Sequence, residues 1–159
     1  MDRFSIKVGL CRGVLASGAP LAFRVRGNSM LPALASGDSI FVRHAEPSDA
    51  APGDVVVFAR SGHFVAHRVV RRSTEAQGSV LVTRGDACVD DDPPVAQDEL
   101  LGVVTGVVRL GAAGKAPSTP PRRRAAWRLA LRVGGERARR AVAALMRGAP
   151  FARAPGRGP

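Results

Sequence analysis

Apolar and polar residues alternate along Leu21-Ala22-Phe23-Arg24-Val25-Arg26, the pattern of a half-buried strand, and the alternation stops at Gly27-Asn28. Ser29 therefore follows a strand end directly. Pro32 restricts Leu31, residues 33–37 read as a short turn, and Ser39-Ile40-Phe41-Val42 predicts a second strand. In Pro52-Gly53-Asp54 the proline presets φ and the glycine accepts positive φ, which marks a turn before the apolar run Val55-Val56-Val57-Phe58. Ser61-Gly62 reads as a hairpin turn, and residues 63–70 return as a strand, since their β-branched content outweighs any helical period. On that strand Val65, His67 and Val69 share one face; Phe64, Ala66, Arg68 and Val70 share the other. Residues 78–83 predict a further strand, 85–94 an acidic turn, and 101–110 the strand that closes the core. Short strands at this regular spacing predict a mainly β fold with a Greek-key or barrel-like sheet rather than alternating β and α units.

Charge divides the chain. Residues 1–110 carry twelve Lys or Arg and twelve Asp or Glu, whereas residues 111–159 carry twelve basic residues and only Glu136, so the whole net charge of +11 belongs to the C-terminal part. The expected organisation is a domain over 1–110, a Gly/Ala/Pro/Ser linker over 111–121 and an Arg-rich tail over 122–159. Within the tail, 122–133 and 136–147 are helix-compatible around Gly134-Gly135, and 148–159 read as unstructured. Arg124, Arg128 and Arg132 lie on one helical face, and Ala126, Leu129, Ala130 and Val133 on another. Such a basic amphipathic segment with Trp127 suits an anionic membrane surface, and a solvated, partly unstructured basic extension is the equal alternative, with nucleic acid third.

Several function classes drop out. Aromatic residues make up 4% of the chain and Tyr is absent, which leaves few platforms for stacking bases, so nucleic acid is a poor candidate partner. Cys11 and Cys88 stand far apart and the histidines show no finger-like spacing; neither a disulfide scaffold, a metal site nor any cofactor is indicated. No stretch approaches the ~20 apolar residues of a membrane-spanning helix. Residues 14–23 are short and interrupted as a secretory signal, so they are read as part of the domain, with a signal peptide the lesser alternative. The expected location is cytoplasmic or peripheral to a membrane.

For chemistry, Gly27-Asn28-Ser29-Met30-Leu31 lacks the second glycine of a nucleophile elbow, and Lys115 is followed by Ala116, which excludes a phosphate loop. His63 and His67 share a strand face about 13 Å apart, too far to hold one metal ion. Ser29, His67 and the acids Asp86, Asp90, Asp91 and Asp92 remain: a serine nucleophile needs a base, and a histidine base needs an orienting carboxylate. On residue types alone the heavier reading is plainer, with a solvated turn serine, a satisfied sheet histidine and an acidic surface loop.

The local sequences add to this. Gly27-Asn28-Ser29-Met30-Leu31-Pro32, Gly37-Asp38-Ser39-Ile40-Phe41-Val42, Pro52-Gly53-Asp54-Val55-Val56-Val57-Phe58, His67-Arg68-Val69-Val70, Arg84-Gly85-Asp86 and Leu101-Gly102-Val103-Val104 resemble, in order, the boxes of the type I signal peptidase family. The resemblance covers residues 24–110 and implies that family's β fold. Bacterial signal peptidases and the related SOS-repressor peptidases carry Lys where this chain has His67; the chain instead resembles the endoplasmic-reticulum, archaeal and sporulation-type branch. That resemblance implies Ser29 as nucleophile, His67 as general base and Asp92 as the orienting acid, with Asp91 in its place if one gap is allowed. Asp86 resembles the family's other acidic position, a structural one. The oxyanion and substrate region falls at Asn28 and Met30 through backbone N–H groups, with cleavage after small residues of a polypeptide. Two departures stand out: the family's transmembrane anchor is missing, and Cys88 replaces a usual Asn. The expected function is thus a serine endopeptidase, the alternatives being a non-catalytic binding module on a peptidase-derived β core and a self-cleaving regulatory peptidase.

Overall fold

A computed structural model of the protein describes residues 2–75, 78–112, 117 and 118. It contains α1 (Arg3–Ala16), β1 (Leu21–Arg24), β2 (Ser39–His44), β3 (Val55–Arg60), β4 (His63–Glu75), β5 (Gly78–Arg84) and β6 (Leu100–Val108), with a single 3-10 turn at Pro47–Asp49. The fold is mainly β, as the alternation of residues predicts, and each of the six expected strands is present within a few residues of its expected span. The expected tail and most of the expected linker lie outside the described residues. Ser118, inside the span read as linker, exchanges backbone hydrogen bonds with Val107 (2.8 and 2.9 Å).

All six strands form one antiparallel sheet in the order β1-β2-β6-β3-β4-β5. β3, β4 and β5 form a meander, and β6 returns to lie beside β3, which is a Greek-key arrangement. The β3–β4 hairpin turns on Ser61 (φ 50°) and Gly62 (φ 77°), two consecutive positive-φ residues of the kind whose twist suits a two-residue loop.

Val55, Val56, Val57 and Phe58 are all buried because the sheet is covered on both faces. Val55 and Val57 join Leu15, Met30, Leu34, Ile40 and Leu101 on one side, and Val56 and Phe58 join Val69, Leu81, Val95 and Leu100 on the other. Burying each such side chain contributes roughly 1.5–3 kcal/mol.

The helix was not predicted from the sequence. Phe4, Val8, Cys11 and Leu15 turn inward while Ile6, Leu10 and Val14 are exposed, so apolar residues occupy both sides and no helical period emerges; Gly9 and Gly13 weaken the propensity further. Its start is nonetheless well capped: Asp2 accepts hydrogen bonds from the backbone N–H groups of Phe4 (2.6 Å) and Ser5 (3.0 Å). Residues 14–23 span the end of α1 and the start of β1. Among the described residues no helix is long and apolar enough to cross a membrane.

Candidate functional site

Three segments distant in sequence meet at one end of the sheet. Ser29 sits on the turn after β1, and buried Met30 and Leu34 beneath it hold that turn to the core. His67 lies within β4, paired with Val56 of the neighbouring strand and packed edge-on against the Phe58 ring, with centroids 6.3 Å apart. Asp92 lies on the loop between β5 and β6, where its backbone N–H donates to the Thr83 carbonyl (2.8 Å). A bridge between Leu81 and Val95 straps the far end of that loop to β5.

The side chains form a continuous line. Ser29 Oγ is 3.1 Å from His67 Nε2, and His67 Nδ1 is 2.7 Å from Asp92 Oδ2. Thr83, itself fully buried, donates its hydroxyl to the same Asp92 oxygen at 2.7 Å. Burial works to raise the Asp92 pKa, but the hydrogen bonds from His67 and Thr83, helped by the positive charge of Arg60, outweigh it and hold the carboxyl below the ordinary Asp range. A charged Asp92 can only accept, so it fixes the proton on Nδ1 and leaves the Nε2 lone pair to accept from the Ser29 hydroxyl.

The other acids have different partners. Asp86 forms a paired contact with Arg68, Oδ1 to Nε and Oδ2 to Nη2, both 2.7 Å, while Arg68 also donates to the Gly53 carbonyl (2.7 Å). Arg68 follows His67 in β4, so this buried pair ties the start of the acidic loop to the strand carrying the histidine. Asp91 turns outward to Arg71 (3.0 Å) and Arg84 (3.3 Å) and does not reach His67. Asp90 is exposed. Asn28 is exposed beside the serine, whereas Met30 is buried in the core and also lines the cleft.

Two further contacts pin the constellation. The Ala87 N–H donates to the Ser29 carbonyl at 2.8 Å, which joins the acidic loop directly to the serine turn. At Gly85 the chains approach so closely that a Cβ there would stand 2.6 Å from the Ser29 carbonyl oxygen, 2.7 Å from Cys88 Sγ and 3.1 Å from His67 Nε2. Thr83, Arg60 and Gly85 were not singled out from the sequence as site residues. Thr83 carries the one available signal, a polar side chain closing an otherwise apolar strand pattern.

Ser29 and His67 open onto a cleft of about 820 Å³. Its apolar walls include Phe23, Val25, Ile40, Val57 and Phe64, and Phe64 packs against both Phe4 of α1 (5.0 Å) and Phe23 of β1 (5.3 Å). β1 is an edge strand, and β5 pairs with β4 only from Arg68 onward, so the first half of β4 has β3 as its single neighbour. Two strand edges with open backbone groups thus flank the cleft. Among the described residues no three His, Cys, Asp or Glu side chains gather into a group able to hold a metal ion.

Comparison with protein-family models matches residues 4–104, well over half of the chain, to the family described as Peptidase S24-like. No curated protein matches.

Proposed function

The chain belongs to the Peptidase S24-like family, and from that premise we propose that it is a serine endopeptidase with Ser29 as nucleophile, His67 as general base and Asp92 as the carboxylate that orients the imidazole. The observation that carries the reading is the unbroken line from Ser29 Oγ through both ring nitrogens of His67 to Asp92, opening onto a cleft with two strand edges.

The chemistry follows from the proton positions. Ser29 Oγ attacks the peptide carbonyl carbon as its proton passes to His67 Nε2, and Asp92 stabilises the resulting imidazolium. Collapse of the tetrahedral intermediate breaks the C–N bond, and the amine leaves with the proton from Nε2. Water, activated by the same nitrogen, then releases the acyl group and restores Ser29. Backbone N–H groups between Asn28 and Met30 would receive the oxyanion. An extended substrate segment would hydrogen-bond to the open edges of β1 and β4, the mode called strand addition.

The finer part of the proposal is kinship with the Ser/His branch of type I signal peptidases and cleavage after small residues of a polypeptide. It is supported by the boxes around Ser29, Asp38, His67 and Asp86 and by histidine at the base position. The Arg-rich segment after residue 121 would hold the domain at an anionic membrane surface.

A serine-directed phosphonylating reagent tests the site without a known substrate. Mass spectrometry should find one adduct on Ser29 in the native chain and none in Ser29→Ala or His67→Ala. An unmodified Ser29 would remove the peptidase reading, and incubation with preproteins then tests the finer part. Self-cleavage is a second reading that the family match favours, and it would show as concentration-independent fragmentation of the 16.6 kDa chain itself.

A further inference from the structure

The cleft beside Ser29 is electrostatically one-sided. Lys7 of α1, Arg24 of β1, and Arg26 and His63 lie along it, and no Asp or Glu lines it among the described residues. Lys7, Arg24 and Arg26 are exposed, and no carboxylate pairs with any of them among the described residues. This is a local feature of a domain whose first 110 residues balance in charge.

The geometry of β1 says how those cations would be used. Phe23 and Val25 turn inward and pack against the core, whereas Ala22, Arg24 and Arg26 turn out. Val25 already spends its backbone groups on the β2 side, accepting from Gly37 N–H (2.9 Å) and donating to the Asp38 carbonyl (2.8 Å). Alternation therefore directs the Arg24 and Arg26 backbone groups to the open edge. A peptide added at that edge alternates in step with β1. Its inward side chains meet the wall made by Phe23 and Phe64, and its outward side chains stand opposite or diagonal to Arg24 and Arg26, close enough for cross-strand pairing.

We infer that the cleft selects an extended peptide in which apolar residues alternate with Asp or Glu, with Lys7, Arg24 and Arg26 as the specificity-determining residues. This rests on the peptidase reading for its cleavage step, but the selectivity is a property of binding. Lysine or arginine at the outward positions would face like charge across the strand pair and be rejected.

The experiment measures binding with cleavage removed. The full-length Ser29→Ala chain is titrated calorimetrically with three synthetic peptides that share the same apolar positions and carry Glu, Gln or Lys at the alternate ones. Two matched cross-strand pairs should make the Glu peptide about tenfold tighter than the Gln peptide, with the Lys peptide weakest and the spread shrinking as salt rises. Adding Lys7→Gln, Arg24→Gln and Arg26→Gln, all surface changes, should abolish the spread while the melting temperature stays put. Equal binding of the three peptides, or binding of none, overturns the inference. So does a Glu preference that survives the triple substitution, because it would put the acidic peptide on the basic segment beyond residue 110. If Ser29→Ala shows the selectivity and the native chain leaves the Glu peptide uncut, the peptidase reading fails and the binding inference stands.

Discussion

Gly85→Ala adds one methyl group at the most crowded point of the site. The new carbon would lie 2.6 Å from the Ser29 carbonyl oxygen and 2.7 Å from Cys88 Sγ, both inside the 3.0 Å that real Cβ contacts essentially never breach. Relief at the oxygen alone therefore takes a movement of at least about 0.4 Å, and a comfortable contact nearer 3.5 Å takes more. Cys88 is a side chain and can rotate. The Ser29 carbonyl cannot yield as easily, because it is backbone and accepts the Ala87 N–H at 2.8 Å. The displacement thus falls on the serine turn, and it separates Ser29 Oγ from an Nε2 that is already 3.1 Å away. Since a misplacement of about 1 Å costs around 10²-fold, a shift of roughly half that should lower kcat/KM, or the rate of phosphonylation of Ser29, by about 10-fold. Overpacking should also cost roughly 1–3 kcal/mol of stability. Labelling rate and thermal unfolding are measured on Gly85→Ala and on Gly85→Ala/Cys88→Ala, which relieves only the sulfur contact and should stay slow. Wild-type labelling and melting in the single variant would show that the loop and the serine turn are not coupled at Gly85.

Four other outcomes follow from the same geometry. Asp92→Asn should reduce activity by about 10³- to 10⁴-fold with the fold retained, through loss of tautomer control, while Asp91→Asn stays within a few fold; the reverse order in a kinetic assay would move the orienting role to Asp91. Asp38 and Asp92 are both held below the ordinary carboxylate range: burial opposes this in each, but backbone N–H groups and Arg109 outweigh it at Asp38 as His67 and Thr83 do at Asp92. Their folded forms release protons more readily than the unfolded chain, so their contribution is full above about pH 4 and is lost as pH falls through the folded pKa values; acid unfolding of Asp38→Asn should accordingly be less steep than that of the native chain. Arg60→Met should cost roughly 1–3 kcal/mol by chemical denaturation, since Arg60 donates to the Pro93 and Pro94 carbonyls (2.8 Å each) and to Glu99 beside the Asp92 loop; unchanged stability would show that these bonds only decorate the loop. Sedimentation with anionic vesicles should pull down the full chain and spare one truncated after Pro121, with release at high salt, and equal behaviour of the two would remove the tail as a membrane anchor.

What was legible in the sequence was whatever repeats or punctuates. The doubly buried β3 shows as four consecutive apolar residues, the β3–β4 hairpin as Ser61-Gly62, and β1 as a strict alternation ending at Gly27. Ser29, His67 and Asp92 could be singled out because their local boxes resemble a known family; spacing by itself left Asp91 open. The helix escaped because its exposed Ile6 and Leu10 blur the period that its buried Phe4 and Leu15 would otherwise mark. Arg60, Thr83 and Gly85 escaped for a different reason. Their importance lies in contacts between separate segments, nine residues apart for Thr83 and Asp92, 33 to 39 for Arg60 and its partners and 56 for Gly85 and the Ser29 carbonyl, and no local pattern encodes such an approach.

The place of β6 in the sheet bears on how the protein is made. It is the last of the six described strands to leave the ribosome, yet it lies between β2 and β3, which have no direct pairing with each other. Ile40 waits for Val107, and Val56 waits for Val103. Until that strand emerges, the β1–β2 pair and the β3–β4–β5 meander are separate fragments with open edges, and the turn bearing Ser29 belongs to one while His67 and the acidic loop belong to the other. Nascent chains stopped short of residue 100 should therefore be proteolytically soft and inert toward the serine reagent, with protection and reactivity arriving together once β6 is inserted. A site divided between two fragments in this way cannot assemble before the strand that joins them is in place.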